Sequence, residues 1–148
     1  MAQPWLTDDQ QRIWRNYLAL GSRLQAAMNR QLQANCGLSL SDYEVLVVLS
    51  ERGPMRVLEL AAALDWEQSR VSHQLARMRA RDLLERHDSE HDRRGFTLEI
   101  TAAGSDALAT AAPDHVELIR SVLFDGATRA QLRGFDEVIA TALDRLGD

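Results

Sequence analysis

The chain has a single cysteine, Cys36, which rules out an internal disulfide framework. With no second cysteine or metal-spaced partner beside it, Cys36 reads as an inert small side chain. Lysine is missing altogether: all 17 basic residues are arginine, so every cationic contact falls to a side chain whose planar fork suits phosphate and guanine edges. No apolar run approaches the ~20 residues of a membrane helix, and the first residues lack the basic-then-apolar order of a secretory leader. The expected compartment is therefore the cytoplasm, with no membrane partner. Catalytic signatures are also missing. There is no Gly-rich phosphate loop, no Gly-x-Ser-x-Gly elbow and no His-Glu-x-x-His helix, so neither an enzyme nor a cofactor is expected. The absence of repeats, low-complexity tracts and Ser/Gly-rich linkers points to one domain over 1–148.

What is present is an ordinary soluble composition, 45% apolar and 26% charged, with a net charge of −5 that hides an uneven distribution. Gln68 to Arg81 carries Arg70, Arg77, Arg79, Arg81 and His73 with no acid, whereas Phe96 to Asp148 carries four arginines against nine acids. One small positive face in an acidic protein is a docking signal that the net charge alone conceals.

The punctuation of the chain divides it into helices. Thr7 with Gln10 forms a capping box opening a helix whose apolar positions Ile13, Trp14, Tyr17, Leu20, Leu24, Met28 and Leu32 recur at three- and four-residue steps, ending near Cys36-Gly37. Ser41 with Glu44 reads as a second box before Val45-Leu46-Val47-Val48-Leu49, stopped by Gly53-Pro54. A short helix follows through Val57, Leu58, Leu60, Ala61 and Leu64, with Asp65-Trp66-Glu67 as its exit turn and Trp66 as a packing anchor. From about Gln68 to Ala80, Val71, Leu75 and Met78 share one buried stripe. Ser69, His73, Ala76, Arg77 and Ala80 lie opposite, Arg70 and Ser72 on the flanks, and Arg79 nearer the buried side, positioned for a structural ion pair. Leu83-Leu84-Glu85-Arg86 and Phe96-Thr97-Leu98-Glu99-Ile100 are strands joined by a polar loop ending in Gly95. Thr101 then caps a helix running toward Phe124 and bent at Pro113, and Thr128 with Gln131 opens the last helix, whose stripe is Leu132, Phe135, Ile139, Ala142 and Leu146.

A basic helix followed by a hairpin with a basic tip is the order of a winged helix-turn-helix, a mainly α (α+β) fold with a two-stranded wing. In that reading Ser69, Arg70, Ser72, His73 and Arg77 face double-stranded DNA. Arg70 and His73, in the N-terminal half of the helix, reach base edges, while Ser69 and Ser72 bind phosphate. Arg93 and Arg94 at the hairpin tip suit a narrow minor groove, and Asp92, being acidic, structures the wing by pinning an arginine or the turn backbone. His87-Asp88-Ser89-Glu90-His91-Asp92 holds metal-ligand types, but a His-x-x-x-His pair shares a face only on a helix. This stretch reads as a solvated polar loop, with no metal.

Leu60-Ala61, Ser69-Arg70-Val71-Ser72-His73, Leu83-Leu84-Glu85-Arg86, Asp92-x-Arg94, Ile100-Thr101 and Gly104, in that order, resemble the central signature of the MarR family of bacterial transcription regulators. The resemblance extends over nearly the whole chain. Asp82 stands where that family often has glycine, and aspartate is among the few other residues that tolerate a left-handed backbone. Ile100 replaces a commoner leucine. The resemblance implies a homodimer built from helices in 7–36 and 102–148, with a DNA-binding lobe over 41–101. It also implies a pseudo-palindromic operator, a repressor role and a small-molecule effector, and it favours Arg94 as the groove-entering residue with Arg93 nearer a phosphate. Trp14, Tyr17 and His115 are candidates for an effector cavity, though aromatics at helical spacing are more often core. Cys36 does not occupy the middle of the first helix, where peroxide-sensing members carry their reactive cysteine. The competing reading is a dimeric ligand- or partner-binding protein of the same fold with little DNA affinity, which the overall acidity permits.

Overall fold

The computed structural model describes residues 4–92 and 95–147. Its described elements are α1 (Asp8–Cys36), α2 (Leu40–Arg52), α3 (Val57–Leu64), α4 (Gln68–Ala80), β1 (Leu84–Asp88), β2 (Phe96–Ile100), α5 (Ala102–Ile119), a π-helical turn (Arg120–Phe124) and α6 (Arg129–Leu146). They pack as two units, Met1–Ala112 and Pro113–Asp148. No described helix is long and apolar enough to cross a membrane.

In the first unit, α1 opens with the Thr7–Gln10 box: Thr7 Oγ1 accepts from the Gln10 amide at 3.2 Å, and Gln10 Oε1 accepts from the Thr7 amide at 3.0 Å. It ends at Gly37, whose φ of 67° is a left-handed turn that any residue with a Cβ adopts at a cost. Cys36 closes the helix half-buried, its thiol donating to the Leu32 carbonyl at 3.1 Å.

The second capping box is two residues earlier than the sequence spacing suggested. Ser39 and Asp42 form it, and α2 starts at Leu40. Both Ser-x-x-acid pairs fit the local pattern, and the tertiary partners of Asp42 described below decide between them.

The core of this unit lies where α2, α3, α4 and β2 meet. Val45, Leu46, Leu49, Leu60, Val71, Leu75, Met78 and Leu98 are buried there, each contributing about 1.5–3 kcal/mol relative to exposure. The hairpin is antiparallel, with Leu84 opposite Ile100, Arg86 opposite Leu98 and Asp88 opposite Phe96. β1 therefore runs two residues beyond Arg86, and His87 and Asp88, read from sequence as loop, are strand residues. Pairing with β2 imposes this where neither side chain favours it. Met55, just before α3, exchanges two backbone hydrogen bonds with Leu98 at 3.0 and 2.8 Å, tying the hairpin to the helical layer.

Asp82 has the left-handed backbone its position calls for, at φ 59°. Thr101 caps α5, its Oγ1 accepting from the Gly104 amide at 3.0 Å while donating to the Asp82 carbonyl at 2.6 Å. In place of the single bent helix toward Phe124 suggested by the sequence, α5 holds Pro113 inside its span and gives way to the π-helical turn after Ile119. In the second unit Thr128 and Gln131 form the capping box of α6.

Candidate nucleic-acid interface

The positive face is built by a turn that presents α4 to solvent. α3 ends at Asp65 in a left-handed conformation (φ 54°), and the Trp66 amide reaches back to the Ala61 carbonyl at 3.0 Å. This reversal packs α4 on α3 through Leu60, Ala61, Val71 and Leu75, all buried. The helical period then leaves Ser69, Arg70, Ser72, His73 and Arg77 exposed. The five α4 residues among those read from sequence as DNA-contacting thus lie on the open surface of that helix. Glu67, the N-cap residue of α4, makes no side-chain cap hydrogen bond.

Two of the arginines are held in place. The Arg70 guanidinium stacks 3.8 Å above the centroid of the half-buried Trp66 ring, a contact worth about 0.5–2 kcal/mol. Trp66 accordingly packs against the core on one side and supports Arg70 on the other. Glu44 lies close enough for the charge of Arg70 to matter: burial raises the pKa of its carboxyl and the arginine opposes that rise. Arg77 donates to Gln74 Oε1 at 2.8 Å.

Gln74 leads to a network that sequence reading missed. Asp42, only 3% exposed, accepts from Gln74 Nε2 on one oxygen and, on the other, from Arg81 Nη1 at 2.6 Å and the Ser39 amide at 2.9 Å. The second Arg81 nitrogen donates to the Gly37 carbonyl at 2.7 Å. One buried carboxylate therefore ties the start of α2 to the middle of α4 and to Arg81 at its C-terminus, and through Arg81 to the end of α1. The structural ion pair expected of Arg79 belongs to Arg81, and Arg79 is exposed. The available signal was Gln74 itself, a polar residue on the apolar stripe three positions after Val71 and four before Met78, because a buried amide requires partners.

At the wing, Asp92 Oδ2 stands 3.9 Å from Arg56 Nη1, an exposed pair worth under ~1 kcal/mol, and its carbonyl accepts from the Gly95 amide at 3.0 Å. A Cβ on Gly95 would lie 3.0 Å from Asp92 Oδ2 and 3.3 Å from Arg56 Nη2, so glycine leaves room for that pair. Arg93 and Arg94 lie outside the described residues.

An open groove of about 770 Å³ adjoins the positive face within the first unit; Tyr17, Gln25, Asn29, Glu44, Trp66 and Arg70 are among its lining. Of the three effector candidates, Tyr17 lines this groove. Trp14 stacks on Tyr17 at 5.6 Å and borders a separate, smaller depression with Trp5, while His115 is a buried residue of the second unit whose pKa burial lowers.

A model of the MarR family matches residues 37–95. The chain is similar over 99% of its length to Sco3205, a MarR family transcriptional regulator from Streptomyces coelicolor solved in complex with DNA; identity is 32%, the match covers 93% of that chain and the TM-score is 0.91. It is similar over 97% of its length to AbsC, a MarR family transcriptional regulator from the same organism, at 35% identity, 98% coverage of that chain and a TM-score of 0.90. Bordetella bronchiseptica BpsR, whose DNA binding is regulated by 6-hydroxynicotinic acid, shares the fold at 21% identity, 86% and 98% coverage and a TM-score of 0.69. No functionally curated protein matches the chain.

Proposed function

Because this chain belongs to the MarR family of transcription regulators, we propose that it binds double-stranded DNA sequence-specifically as a homodimer, and that it acts in the cytoplasm as an effector-responsive repressor on a pseudo-palindromic operator. The carrying observation is the exposed, acid-free face of α4, where Ser69, Arg70, Ser72, His73 and Arg77 stand together beside a hairpin. Arg70 and His73 read base edges from the N-terminal half of α4. Ser69, Ser72 and Arg77 hold phosphates and set the register. Arg94 enters the minor groove and Arg93 meets phosphate, with Asp92 and Arg56 supporting the loop between the strands.

Dimerisation through 7–36 and 102–148 is supported by the apolar surface each unit leaves open. Ile13, Trp14, Tyr17 and Leu20 on α1, and Phe135, Val138, Ile139 and Leu143 on α6, are exposed, and large apolar side chains left open together on a helix mark an interaction surface. A second copy covers them. The effector occupies the groove bordered by Tyr17 and Arg70, where it touches the same arginine that reads DNA.

Arg70→Ala tests the assignment. It is expected to cost about 1–3 kcal/mol of operator affinity and to relax base preference at one position of each half-site, whereas Arg93→Ala weakens all sequences alike. Competition binding against single-base operator variants measures both. A uniform loss for Arg70→Ala would reduce it to a backbone contact.

A further inference from the structure

Alternation along the hairpin divides its side chains into two faces. Leu84, Arg86 and Leu98 belong to one, on which Leu84 and Leu98 are buried and the Arg86 guanidinium lies 3.8 Å over the Phe96 ring. Glu85, His87, Thr97 and Glu99 fall on the other. Glu85 is directly opposite Glu99 in the register, and His87 follows Glu85 by two residues on the same strand. The result is one imidazole nitrogen flanked by two carboxylates: His87 Nε2 is 3.2 Å from Glu85 Oε1 and 3.0 Å from Glu99 Oε2.

We propose that Glu85, His87 and Glu99 form a binding site for a divalent transition-metal ion on the outer face of the hairpin. The spacing suits it. Nitrogen and oxygen ligands bind zinc at about 2.0–2.2 Å, so two ligands of one ion stand roughly 3.0–3.4 Å apart between right-angle and tetrahedral geometry. Both measured separations fall in that range, and the three ligand atoms lie within 4.8 Å of one another. Charge points the same way. Two carboxylates and a neutral imidazole carry −2, which a divalent ion cancels, while a single imidazole N–H satisfies one of the two oxygens at a time. Among the described residues no arginine is paired with either carboxylate: Arg86 points to the other face and bonds Asp88 at 2.8 Å. All three side chains are at least partly exposed, so water completes the coordination shell. One nitrogen with two carboxylate oxygens selects borderline ions such as zinc over calcium, which takes oxygen ligands alone. The ion would link β1 to β2 one residue pair from the end of the ladder.

Calorimetric titration of the full chain with zinc is expected to show one saturable site per chain. His87→Ala and the near-isosteric Glu99→Gln each weaken it roughly tenfold or more, with unchanged circular dichroism establishing that the variants fold. His91→Ala and Cys36→Ser leave it unaltered. In a parallel NMR titration, cobalt broadens the His87 ring resonances before those of the other histidines. Absence of saturable zinc binding, binding indifferent to both His87→Ala and Glu99→Gln, or loss of the site in His91→Ala or Cys36→Ser instead would overturn the proposal. None of these readouts depends on DNA binding.

Discussion

Gly104→Ala is expected to be the most damaging small substitution in the chain, destabilising the fold by roughly 2–4 kcal/mol. A Cβ built on Gly104 would stand 2.3 Å from the Leu83 carbonyl oxygen and 2.9 Å from Ile100 Cγ1. The first of these is backbone, which cannot swing aside as a flexible side chain can. That carbonyl also accepts the Thr101 amide at 3.1 Å, and Thr101 both caps α5 and holds the Asp82 carbonyl. Relieving the clash means moving the start of α5 away from the approach to β1, with loss of the amide hydrogen bond and disturbance of the cap and of Asp82's left-handed turn. Overpacking alone costs typically 1–3 kcal/mol, and a lost hydrogen bond adds about 1. Chemical denaturation monitored by circular dichroism measures the sum. A loss below about 1 kcal/mol would mean that α5 and the hairpin accommodate one another more loosely than their close approach implies.

Asp42→Ala follows, at about 3 kcal/mol. Removing a helix N-cap partner costs on the order of 1 kcal/mol, and leaving one member of a buried ion pair uncompensated costs about 3–5 when both are enclosed. Arg81 is 43% exposed and regains water when its partner is lost, which lowers the second figure. Gln74, 4% exposed, has no such recourse on its amide side. Asp42→Asn, which keeps the volume and one acceptor, is expected to lose roughly half as much. The loss should extend to DNA affinity beyond what stability explains, because Gln74 is the acceptor that holds Arg77. Thermal melts and DNA titrations at a temperature where both proteins are fully folded separate the two effects.

Much of the architecture was legible in the sequence because it is set locally. The boxes at Thr7–Gln10 and Thr128–Gln131, the glycine after Cys36, the stripe of Val71, Leu75 and Met78, and the tolerance of Asp82 for a left-handed turn all depend on neighbours within a few residues. The alignment of Ser69, Arg70, Ser72, His73 and Arg77 on one exposed face follows from the same helical period. What was not legible depends on partners far along the chain. Ser39–Asp42 and Ser41–Glu44 have identical local spacing, and the bonds that Asp42 accepts from Gln74 and Arg81, 32 and 39 residues away, favour the box made by Ser39 and Asp42. His87 and Asp88 have little intrinsic preference for a strand and acquire it from Thr97 and Phe96 across the ladder. The same pairing brings Glu85, His87 and Glu99 together, a juxtaposition that spacing along one strand does not reveal because Glu99 lies on the other. The π-helical turn at Arg120–Phe124 carries no composition signal that would distinguish it from a continuing helix.

Titration of the purified protein against the DNA upstream of its own gene, across a series of salt concentrations and with footprinting of the bound species, tests the central claim most directly. The account predicts protection of an inverted repeat whose half-sites are about 10–10.5 base pairs apart, centre to centre. It also predicts an affinity that falls about 10³–10⁵-fold between 50 and 200 mM salt if the dimer makes on the order of 6–10 phosphate contacts. A folded, dimeric protein that binds no fragment of genomic DNA at low salt would contradict it and leave a ligand- or partner-binding dimer of the same fold.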